Sequence, residues 1–401
     1  MVFGGGSMSN FLSGEINMAS NLDINVQRPK LAVVGGGTGG HLFPGIAVAE
    51  AWLRQNPGAE VVFVGSERGL EARVVPSLGY PLVLVPSERL KNAGLVERLR
   101  SLLRMPEALM RARAVVAELK PSVVLGVGGF ISGPVVLMAA LSGIPCAVAE
   151  QNALPGLTNR LLSRVVRRIY TAFPEAAARL PASKIRPLGN PVRAAICSAA
   201  ATAPAAGRAR HILVMGGSQG SRALNERLPT VLASLAARLP GVTVRHQAGK
   251  GNGDAVRAAY AAAGLQSAQV DEFIEDVAAA VVEADLVVCR SGATTVAELA
   301  CIGRPALFIP FPHAADDHQA VNARSLVDAG AARMVREAEL TPERLGAELD
   351  ALLADPARLA EMGRAARTRG RPEAADTIAR DLAELAGLHA DFAPAVGSVT
   401  A

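Results

Sequence analysis

The chain has 401 residues, of which 50% are hydrophobic and 19% are charged. This composition excludes a disordered chain, which needs low hydrophobicity and high charge, and the length favours two domains of about 100–200 residues each. Aromatic residues contribute only 3%, so the core is expected to be aliphatic, as in buried parallel sheets. The 41 basic and 36 acidic residues give a net charge of +5, which is too small to indicate nucleic acid as a partner.

The first segment, residues 1–29, is rich in Gly, Ser and Asn and lacks the basic and apolar regions of a secretory signal peptide. We predict that it is a disordered extension, and we expect the same of the tail 391–401. From Lys30 onward, short apolar runs alternate with longer stretches of helical pattern. The runs predicted as strands are 31–34, 61–64, 83–85, 123–125 and 146–149, followed by 212–215, 242–246, 286–289 and 306–309.

Strands that alternate with helices build βαβ units and parallel sheets. The two series of strands are separated by residues 194–210, an Ala-rich stretch without apolar periodicity that is expected to be a linker. The sequence therefore predicts an α/β protein with two Rossmann-like, doubly wound parallel-sheet domains, 30–193 and 211–372, that face a cleft. Ligands of such sheets bind at the carboxyl ends of the strands.

A basic stretch, residues 88–113, contains seven basic and three acidic residues with apolar residues between them. Such a pattern is typical of a helix on an anionic membrane surface, and also of an ordinary helix with a solvated basic face. The uncharged stretch 121–149 is long enough to span a membrane, but five glycines, Pro134 and Pro145 interrupt it. We therefore predict two strands and a helix there rather than a transmembrane helix.

Each series of strands begins with a run that leads into a glycine-rich loop, GGGTGG at 35–40 and GGSQG at 216–220. Such a loop at a helix N-terminus exposes backbone N–H groups to a phosphate, so the pair of loops predicts substrates with two phosphorylated parts. The first loop also fits the dinucleotide fingerprint of nicotinamide and flavin enzymes. Glu67, however, comes late for the acidic residue that this fingerprint needs after the second strand.

Two further motifs suggest other chemistry. The second loop matches the nucleophile elbow of serine hydrolases around Ser218, but the remaining triad members would be Asp316 or Asp317 and His318, which are too close in sequence to come from separate loops. The polar cluster 313–318 looks like a set of metal ligands, yet its spacing fits no pair of His ligands on one helix. We predict a loop that binds hydroxyl groups and no metal site.

Seven motifs occur in the order and spacing found in the peptidoglycan N-acetylglucosaminyltransferases of glycosyltransferase family 28. They are GGTGGH at 36–41, EQN at 150–152, GNPVR at 189–193, GGSQG at 216–220, EFI at 272–274, RSGATTVAE at 290–298 and DDHQ at 316–319. Any one of these motifs would be weak evidence, but their number and order are specific. The chain resembles this family over residues 30–375.

The resemblance implies a GT-B fold, in which 30–193 binds the acceptor and faces the membrane, 211–372 binds UDP-N-acetylglucosamine (UDP-GlcNAc), and a helix within 373–390 returns to the N-terminal domain. It implies transfer of N-acetylglucosamine to the 4-hydroxyl of the N-acetylmuramic acid of lipid I, with inversion of the anomeric carbon. The products would be UDP and lipid II, the precursor for peptidoglycan, on which cell shape and cell division depend. No cofactor and no metal are expected.

The resemblance also implies a peripheral protein at the cytoplasmic face of the bacterial plasma membrane. Its partners would be lipid I, the anionic inner membrane surface and cell-wall assembly proteins, and the stretch 88–113 becomes the predicted docking surface. Three other functions stay open at this point. One is a related lipid glycosyltransferase with a diacylglycerol acceptor, and another is a serine hydrolase with Ser218 as its nucleophile. The third is a non-catalytic protein that binds a UDP-sugar or a lipid diphosphate.

An inverting transfer needs a base for the acceptor hydroxyl. His41 follows the first glycine loop at a predicted helix start, where the helix dipole disfavours imidazolium and leaves a neutral ring that can accept a proton. The base of the family falls on His41. The alternative is a histidine that only hydrogen-bonds to the loop or to the acceptor.

The resemblance assigns specific residues to the donor. Arg193 and Ser218 would bind the diphosphate, Glu298 the ribose hydroxyls, and Ile274 would lie against uracil. The full set predicted to bind UDP-GlcNAc is Thr38, Gly39, Gly40, Asn152, Arg193, Ser218, Ile274, Ala293, Thr294, Thr295, Val296, Ala297, Glu298 and Gln319. Asn152 and Gln319 would read the hydroxyls or the acetamido group of the transferred sugar.

A second loop in the N-terminal half is expected to face the acceptor. It consists of Gly128, Gly129 and Phe130. Phe130 stands where some members of the family have tyrosine, so a hydrogen bond from a phenol to the acceptor is absent here. We expect lipid I to be held by other contacts.

Overall fold

A computed structural model describes residues 28–86, 105–206, 210–217 and 219–388. Four sequence predictions lie wholly or mostly outside the described residues: the extension 1–29, the tail 391–401, Ser218, and residues 88–104 of the basic stretch. In the described ranges, the chain folds into two parallel β-sheets, each covered by helices. The predicted α/β fold with two doubly wound parallel sheets is confirmed.

The N-terminal sheet has seven parallel strands in the order β3-β2-β1-β4-β5-β6-β7. The strands are β1 (Lys30–Gly35), β2 (Glu60–Gly65), β3 (Leu82–Leu84), β4 (Val123–Gly128), β5 (Cys146–Glu150), β6 (Arg168–Thr171) and β7 (Ile185–Arg186). The helices are α1 (Gly39–Gln55), α2 (Glu71–Ser77), α3 (Met105–Leu119), α4 (Ser132–Leu141), α5 (Leu157–Leu162) and α6 (Pro174–Ala177). The strand order reverses between β1 and β4, and the carboxyl ends of these strands therefore form the usual ligand-binding edge.

The C-terminal sheet has six parallel strands in the order β10-β9-β8-β11-β12-β13. They are β8 (Arg210–Met215), β9 (Val242–Gln247), β10 (Gln269–Asp271), β11 (Leu286–Cys289), β12 (Ala306–Phe308) and β13 (Ala332–Met334). The helices of this half are α8 (Arg222–Arg238), α9 (Gly253–Ala262), α10 (Val277–Glu283), α11 (Ala293–Ile302), α12 (His318–Val327), α13 (Pro342–Leu353) and α14 (Pro356–Arg369). Here the order reverses between β8 and β11, which places a second ligand-binding edge at their carboxyl ends.

The central strands are mostly apolar, as expected of strands in a sheet that is covered by helices on both faces. All six residues of β4 and all five of β5 are buried. The uncharged stretch 121–149 forms β4, α4 and β5, as predicted. None of the described helices is long and apolar enough to cross a membrane.

The last described helix, α15 (Ala374–Leu385), lies on the N-terminal sheet rather than on the sheet that precedes it. Its Ile378 and Leu382 are buried in the same core cluster as Trp52 of α1. Polar contacts add to this packing, since the Tyr170 hydroxyl donates to Asp381 at 2.7 Å. The other face of the N-terminal sheet is covered by α3, α4 and α5.

The stretch predicted as a linker, 194–210, contains a helix, α7 (Ala194–Thr202). Alanine has a high helix propensity, which accounts for helix formation without apolar periodicity. Two arginines attach the end of this segment to the C-terminal half. Buried Arg304 donates to the Pro204 carbonyl at 2.7 Å, and Arg367 donates to the Ala203 carbonyl at 3.1 Å.

Candidate active site

The first glycine loop is built around a buried carboxylate that the sequence did not point to. Glu71 accepts hydrogen bonds from the backbone N–H of Gly37 at 2.6 Å and from the N–H of Ser66 at 2.8 Å. A Cβ on Gly36 would lie 2.5 Å from the Glu71 Oε2 atom, and one on Gly65 would lie 2.4 Å from its Cγ atom. These glycines are therefore required by the close approach of Glu71.

This arrangement changes the interpretation of the loop as a phosphate cradle. The Gly37 N–H, which the sequence assigns to a phosphate, is bonded to a protein carboxylate instead. The N–H groups of Gly39 and Gly40 in the first turn of α1 have no acceptor within the helix. The part of the loop suited to an anion is thus the start of α1, immediately before His41.

His41 packs against the predicted acceptor loop. A Cβ on Gly128 would lie 2.8 Å from His41 Nδ1, and one on Gly129 would lie 3.0 Å from the Gly36 carbonyl oxygen. Both glycines have positive φ angles, +101° and +87°, which residues with a side chain rarely adopt. Phe130 follows with 49% of its surface exposed. The structure therefore brings together the two segments predicted to handle the acceptor.

The EQN motif at the end of β5 contributes three different contacts. Buried Glu150 accepts hydrogen bonds from the backbone N–H of Asn152 and of Gly156, each at 3.0 Å, and so holds the following loop. Gln151 lies with its Oε1 atom 3.2 Å from His41 Nδ1 and donates from Nε2 to the Val127 carbonyl at 3.1 Å. Gln151 was missed by the sequence predictions, although its neighbour Asn152 was included.

The two halves of the protein meet through hydrogen bonds between loops of the candidate site. Asn322 of α12 donates to the Asn152 side chain at 3.2 Å and accepts from the Ala153 N–H at 2.9 Å. Thr294 of α11 donates from its hydroxyl to the Gly40 carbonyl at 3.2 Å. The start of α11 therefore lies against the start of α1, and Asn322 is a second residue that the sequence predictions missed.

Two residues predicted for different parts of the donor are bonded to each other. The guanidinium of Arg193 donates to Glu298 Oε1 at 2.9 Å, and it also lies over the Phe43 ring at 4.6 Å from the centroid. Burial raises the pKa of Glu298, and the neighbouring Arg193 counteracts part of this effect. Arg193 thus connects α1 of the N-terminal half with α11 of the C-terminal half.

The other predicted donor residues surround the start of α11 or lie beneath it. The side chains of Ala293, Thr294 and Val296 are buried. Ser291 donates to the Gln319 carbonyl at 2.8 Å, and the Gln319 side chain accepts from the Phe311 N–H at 2.9 Å. These bonds tie the loop before α12 to the loop before α11.

Two further residues predicted to bind the donor are Ile274 and Ser218. Ile274 is 1% exposed over the whole residue, and its side chain belongs to the core. Ser218 lies outside the described residues, but its loop is constrained on both sides. Gly217 and Gly220 have φ angles of +83° and +73°, and a Cβ on Gly220 would lie 2.1 Å from the Ala248 carbonyl oxygen.

The polar cluster 313–318 is held by contacts with the protein. Asp317 forms an ion pair with Arg336 at 2.9 Å, and the Nδ1 atom of His318 lies 2.8 Å from the Ala315 carbonyl oxygen. In the part of the chain that the structure describes, no group of three or more His, Cys, Asp or Glu side chains could hold a metal ion. Asp317 and His318 are thus bonded to Arg336 and to the Ala315 carbonyl. They are not bonded to each other, as the acid and the histidine of a hydrolase triad would be.

Two doubly wound parallel-sheet domains in one chain, with loops that meet between them, are typical of the GT-B class of glycosyltransferases. The described N-terminal half matches the model of the glycosyltransferase family 28 N-terminal domain over residues 31–171. The C-terminal half matches the family 28 C-terminal domain over residues 211–378. The chain belongs to glycosyltransferase family 28.

Relatives of known name agree with this assignment. The chain is 50% identical over 350 residues to the UDP-N-acetylglucosamine–N-acetylmuramyl-(pentapeptide) pyrophosphoryl-undecaprenol N-acetylglucosamine transferase of Myxococcus xanthus, with 87% of this chain and 91% of the relative covered. It is 49% identical over 356 residues to the protein of that name from Anaeromyxobacter sp. (strain Fw109-5), with 89% and 93% covered. The crystal structure of Acinetobacter baumannii MurG is 35% identical, with a TM-score of 0.72, and the match covers 89% of this chain and 99% of that one.

Proposed function

We propose that the protein transfers N-acetylglucosamine from UDP-GlcNAc to the 4-hydroxyl of the N-acetylmuramic acid of lipid I, which gives lipid II and UDP. The observation that carries this proposal is the identity of 50% with the named transferase of Myxococcus xanthus over nearly the whole length of both chains. The seven motifs in family order and the contacts between the two halves at the candidate site are consistent with it. Of the alternatives, a nicotinamide or flavin enzyme and a serine hydrolase do not explain these findings.

In the proposed mechanism, His41 is the base that removes the proton from the acceptor hydroxyl. Support comes from the packing of its ring on Gly128, at the start of the predicted acceptor loop. His41 belongs to the first turn of α1, and the free N–H groups of this turn suit the diphosphate of lipid I. The acceptor and the base would then be held by the same short segment.

On the donor side, Glu298 would accept hydrogen bonds from the ribose hydroxyls, while Arg193 and Ser218 would stabilise the charge that develops on the departing diphosphate. Because Arg193 and Glu298 are bonded to each other at 2.9 Å, we expect UDP-GlcNAc to separate them. Arg193 would then bind the diphosphate in place of Glu298, and Glu298 would bind the ribose hydroxyls in place of Arg193.

Contact with the inner membrane surface is the third part of the proposal. Among the described residues, nine of the eleven exposed large hydrophobic side chains belong to the N-terminal half. Five lie on α3, α4 and α5, the layer that continues from the basic stretch 88–113: Met105, Met110, Leu141, Leu157 and Leu161. An apolar surface with basic residues nearby suits an anionic lipid surface on the acceptor side of the protein.

The decisive experiment measures UDP release from UDP-GlcNAc with a short-chain lipid I analogue or with diacylglycerol as acceptor. We expect UDP to be released with the lipid I analogue and not with diacylglycerol. Release with diacylglycerol would identify the related lipid glycosyltransferase instead. Donor binding without release in the presence of either acceptor would identify a binding protein.

The same assay tests the donor site through Glu298→Gln. Loss of a charged hydrogen-bond acceptor costs about 1.5–3 kcal/mol, so the KM for UDP-GlcNAc should rise roughly 10- to 100-fold. Glu226→Gln is the matched control, because Glu226 is exposed on α8 and should leave the donor KM unchanged. An unchanged donor KM in Glu298→Gln would remove Glu298 from the donor site.

A further inference from the structure

The side chain of Gln151 is held in one orientation between His41 and the end of β4. It is 1% exposed, and its amide nitrogen lies 3.1 Å from the Val127 carbonyl oxygen. A carbonyl oxygen only accepts hydrogen bonds, so the NH2 group must face Val127 and the Oε1 atom must face away from it. The atom that this leaves for His41, 3.2 Å from its Nδ1, is therefore an acceptor.

This geometry selects one form of the His41 ring. Because Gln151 Oε1 can only accept, the Nδ1 atom of His41 must carry the hydrogen. In a neutral imidazole the other nitrogen, Nε2, then has a free lone pair and no proton. We infer that Gln151 is a positioning residue for the transfer, which holds His41 in the Nδ1–H tautomer so that Nε2 accepts the proton of the acceptor hydroxyl.

The inference rests on the proposed role of His41 as base, and two further features of the site support it. Val127 is the residue immediately before Gly128, so one amide group bonds both the base and the strand end that carries the acceptor loop. Glutamine is also uncharged, so it fixes the tautomer without the preference for imidazolium that a carboxylate would add. The neighbouring carboxylate, Glu150, has its oxygen atoms bonded to the loop that begins at Asn152.

Nitrogen NMR of the histidine rings tests the tautomer directly, at an alkaline pH where imidazoles are neutral. The 15N shifts of protonated and unprotonated ring nitrogens are well separated, and His41→Gln identifies the His41 signals. We expect Nδ1–H in the wild-type protein and a loss of this preference in Gln151→Met, which preserves length but removes the acceptor. A wild-type His41 with its hydrogen on Nε2 would overturn the inference.

Kinetics then test whether the tautomer matters for the reaction. Since a positioned base contributes roughly 10²–10⁴-fold, we expect kcat of Gln151→Met to fall about 10- to 100-fold with the donor KM within twofold of wild type. Gln151→Glu retains an acceptor for Nδ1–H but, when ionised, loses the donor to Val127, so it should keep the Nδ1–H tautomer in the NMR spectrum. Gln269→Met, an exposed position on β10, is the control for the substitution itself.

The two assays separate the inference from the function on which it rests. A Gln151→Met protein with an altered tautomer but wild-type kcat would overturn the positioning role. If the wild-type protein releases no UDP with the lipid I analogue, the proposed function fails, while the NMR spectrum still reports the tautomer.

Discussion

Glu71 shows how one buried side chain can determine the shape of a loop that carries a catalytic group. Its carboxylate accepts hydrogen bonds from Gly37, from the Ser66 N–H and from the Ser66 hydroxyl, at 2.6 to 2.8 Å. Bonds from N–H groups to a carboxylate are stronger than those between neutral groups. The loop that precedes His41 is therefore anchored to the end of β2 by one buried side chain.

We expect Glu71→Gln to loosen this loop. The amide has only one acceptor atom and would place its NH2 group against backbone N–H donors, so the variant should lose about 2–3 kcal/mol of unfolding free energy. The kcat should fall because His41 is less well placed. Thermal unfolding and UDP release measure the two effects, and Glu67→Gln, at an exposed position of the neighbouring turn, is the control. Wild-type stability in Glu71→Gln would show that the carboxylate is not the anchor.

The residues missing from the sequence predictions share one property. Glu71, Gln151 and Asn322 act on partners 34, 110 and 169 residues away, and no local spacing relates them to those partners. The glycine loops and His41 could be found because strand, loop and helix start are adjacent in the sequence. The proximity of His41 to Gly128 follows from the sheet topology, which places β1 beside β4.

At the level of elements, apolar content decided which strands could be predicted. The nine apolar runs all correspond to strands, whereas β6, β7, β10 and β13 were not predicted. These four have two to four residues each, and each contains a charged residue. Their strand conformation follows from pairing with a neighbouring strand, as Ile169 of β6 pairs with Val148 of β5, and this tertiary context is not encoded in their own pattern.

Helix α5 is the element on which the proposed membrane contact can be tested most directly. Its Leu162 packs in the core beneath the sheet, whereas Leu157 and Leu161 are 64% and 58% exposed. The two leucines are four residues apart and therefore lie on the same helix face. Arg160 and Arg164, which are also exposed, lie beside them in the sequence.

We expect the double variant Leu157→Ser and Leu161→Ser to bind anionic vesicles at least tenfold more weakly than the wild-type protein. Removing apolar surface that enters a bilayer costs up to about 1.5–3 kcal/mol per leucine, and partial insertion gives a smaller loss. Vesicle sedimentation at low salt measures the binding. Phe273→Ser, which removes an exposed aromatic side chain from the C-terminal half, should bind as the wild type does. Equal binding by the double variant would exclude α5 from the contact surface.

At the level of the whole molecule, the chain crosses between the halves twice. Helix α7 begins at Ala194, and Arg304 and Arg367 attach its end to the C-terminal half. Helix α15 returns to the N-terminal sheet and is bonded there through Asp381. The N-terminal half is thus completed by a segment that is distant in sequence, and Arg193, between the two halves, carries the ion pair to Glu298.

The stability of the C-terminal half should depend on pH through a buried histidine. His246 is fully buried, with Nδ1 at 3.0 Å from the Tyr260 hydroxyl and Nε2 at 3.1 Å from Asn225 Oδ1. Asn225 in turn donates to the Ala248 carbonyl at 2.9 Å, so its oxygen faces the ring and Nε2 carries the hydrogen. Burial lowers the pKa of His246 to about 4, because a charged ring there would lose its hydration.

A histidine with a lowered pKa in the folded state destabilises the protein as the pH falls. The unfolded chain binds a proton near pH 6.5, whereas folded His246 remains neutral down to pH of about 4. Between these values the unfolded state binds more protons, so the unfolding free energy should decrease by about 3 kcal/mol from pH 7.5 to pH 4.5 on account of this group. Urea unfolding at both pH values measures the change.

The variant His246→Gln separates this histidine from the other titrating groups. Glutamine can donate to Asn225 and accept from Tyr260 but does not titrate, so the pH dependence of the variant should be shallower by about the same 3 kcal/mol, from a lower starting stability. His211→Gln is the control, because it makes the same substitution at an exposed position. A pH dependence as steep in His246→Gln as in the wild-type protein would contradict the prediction.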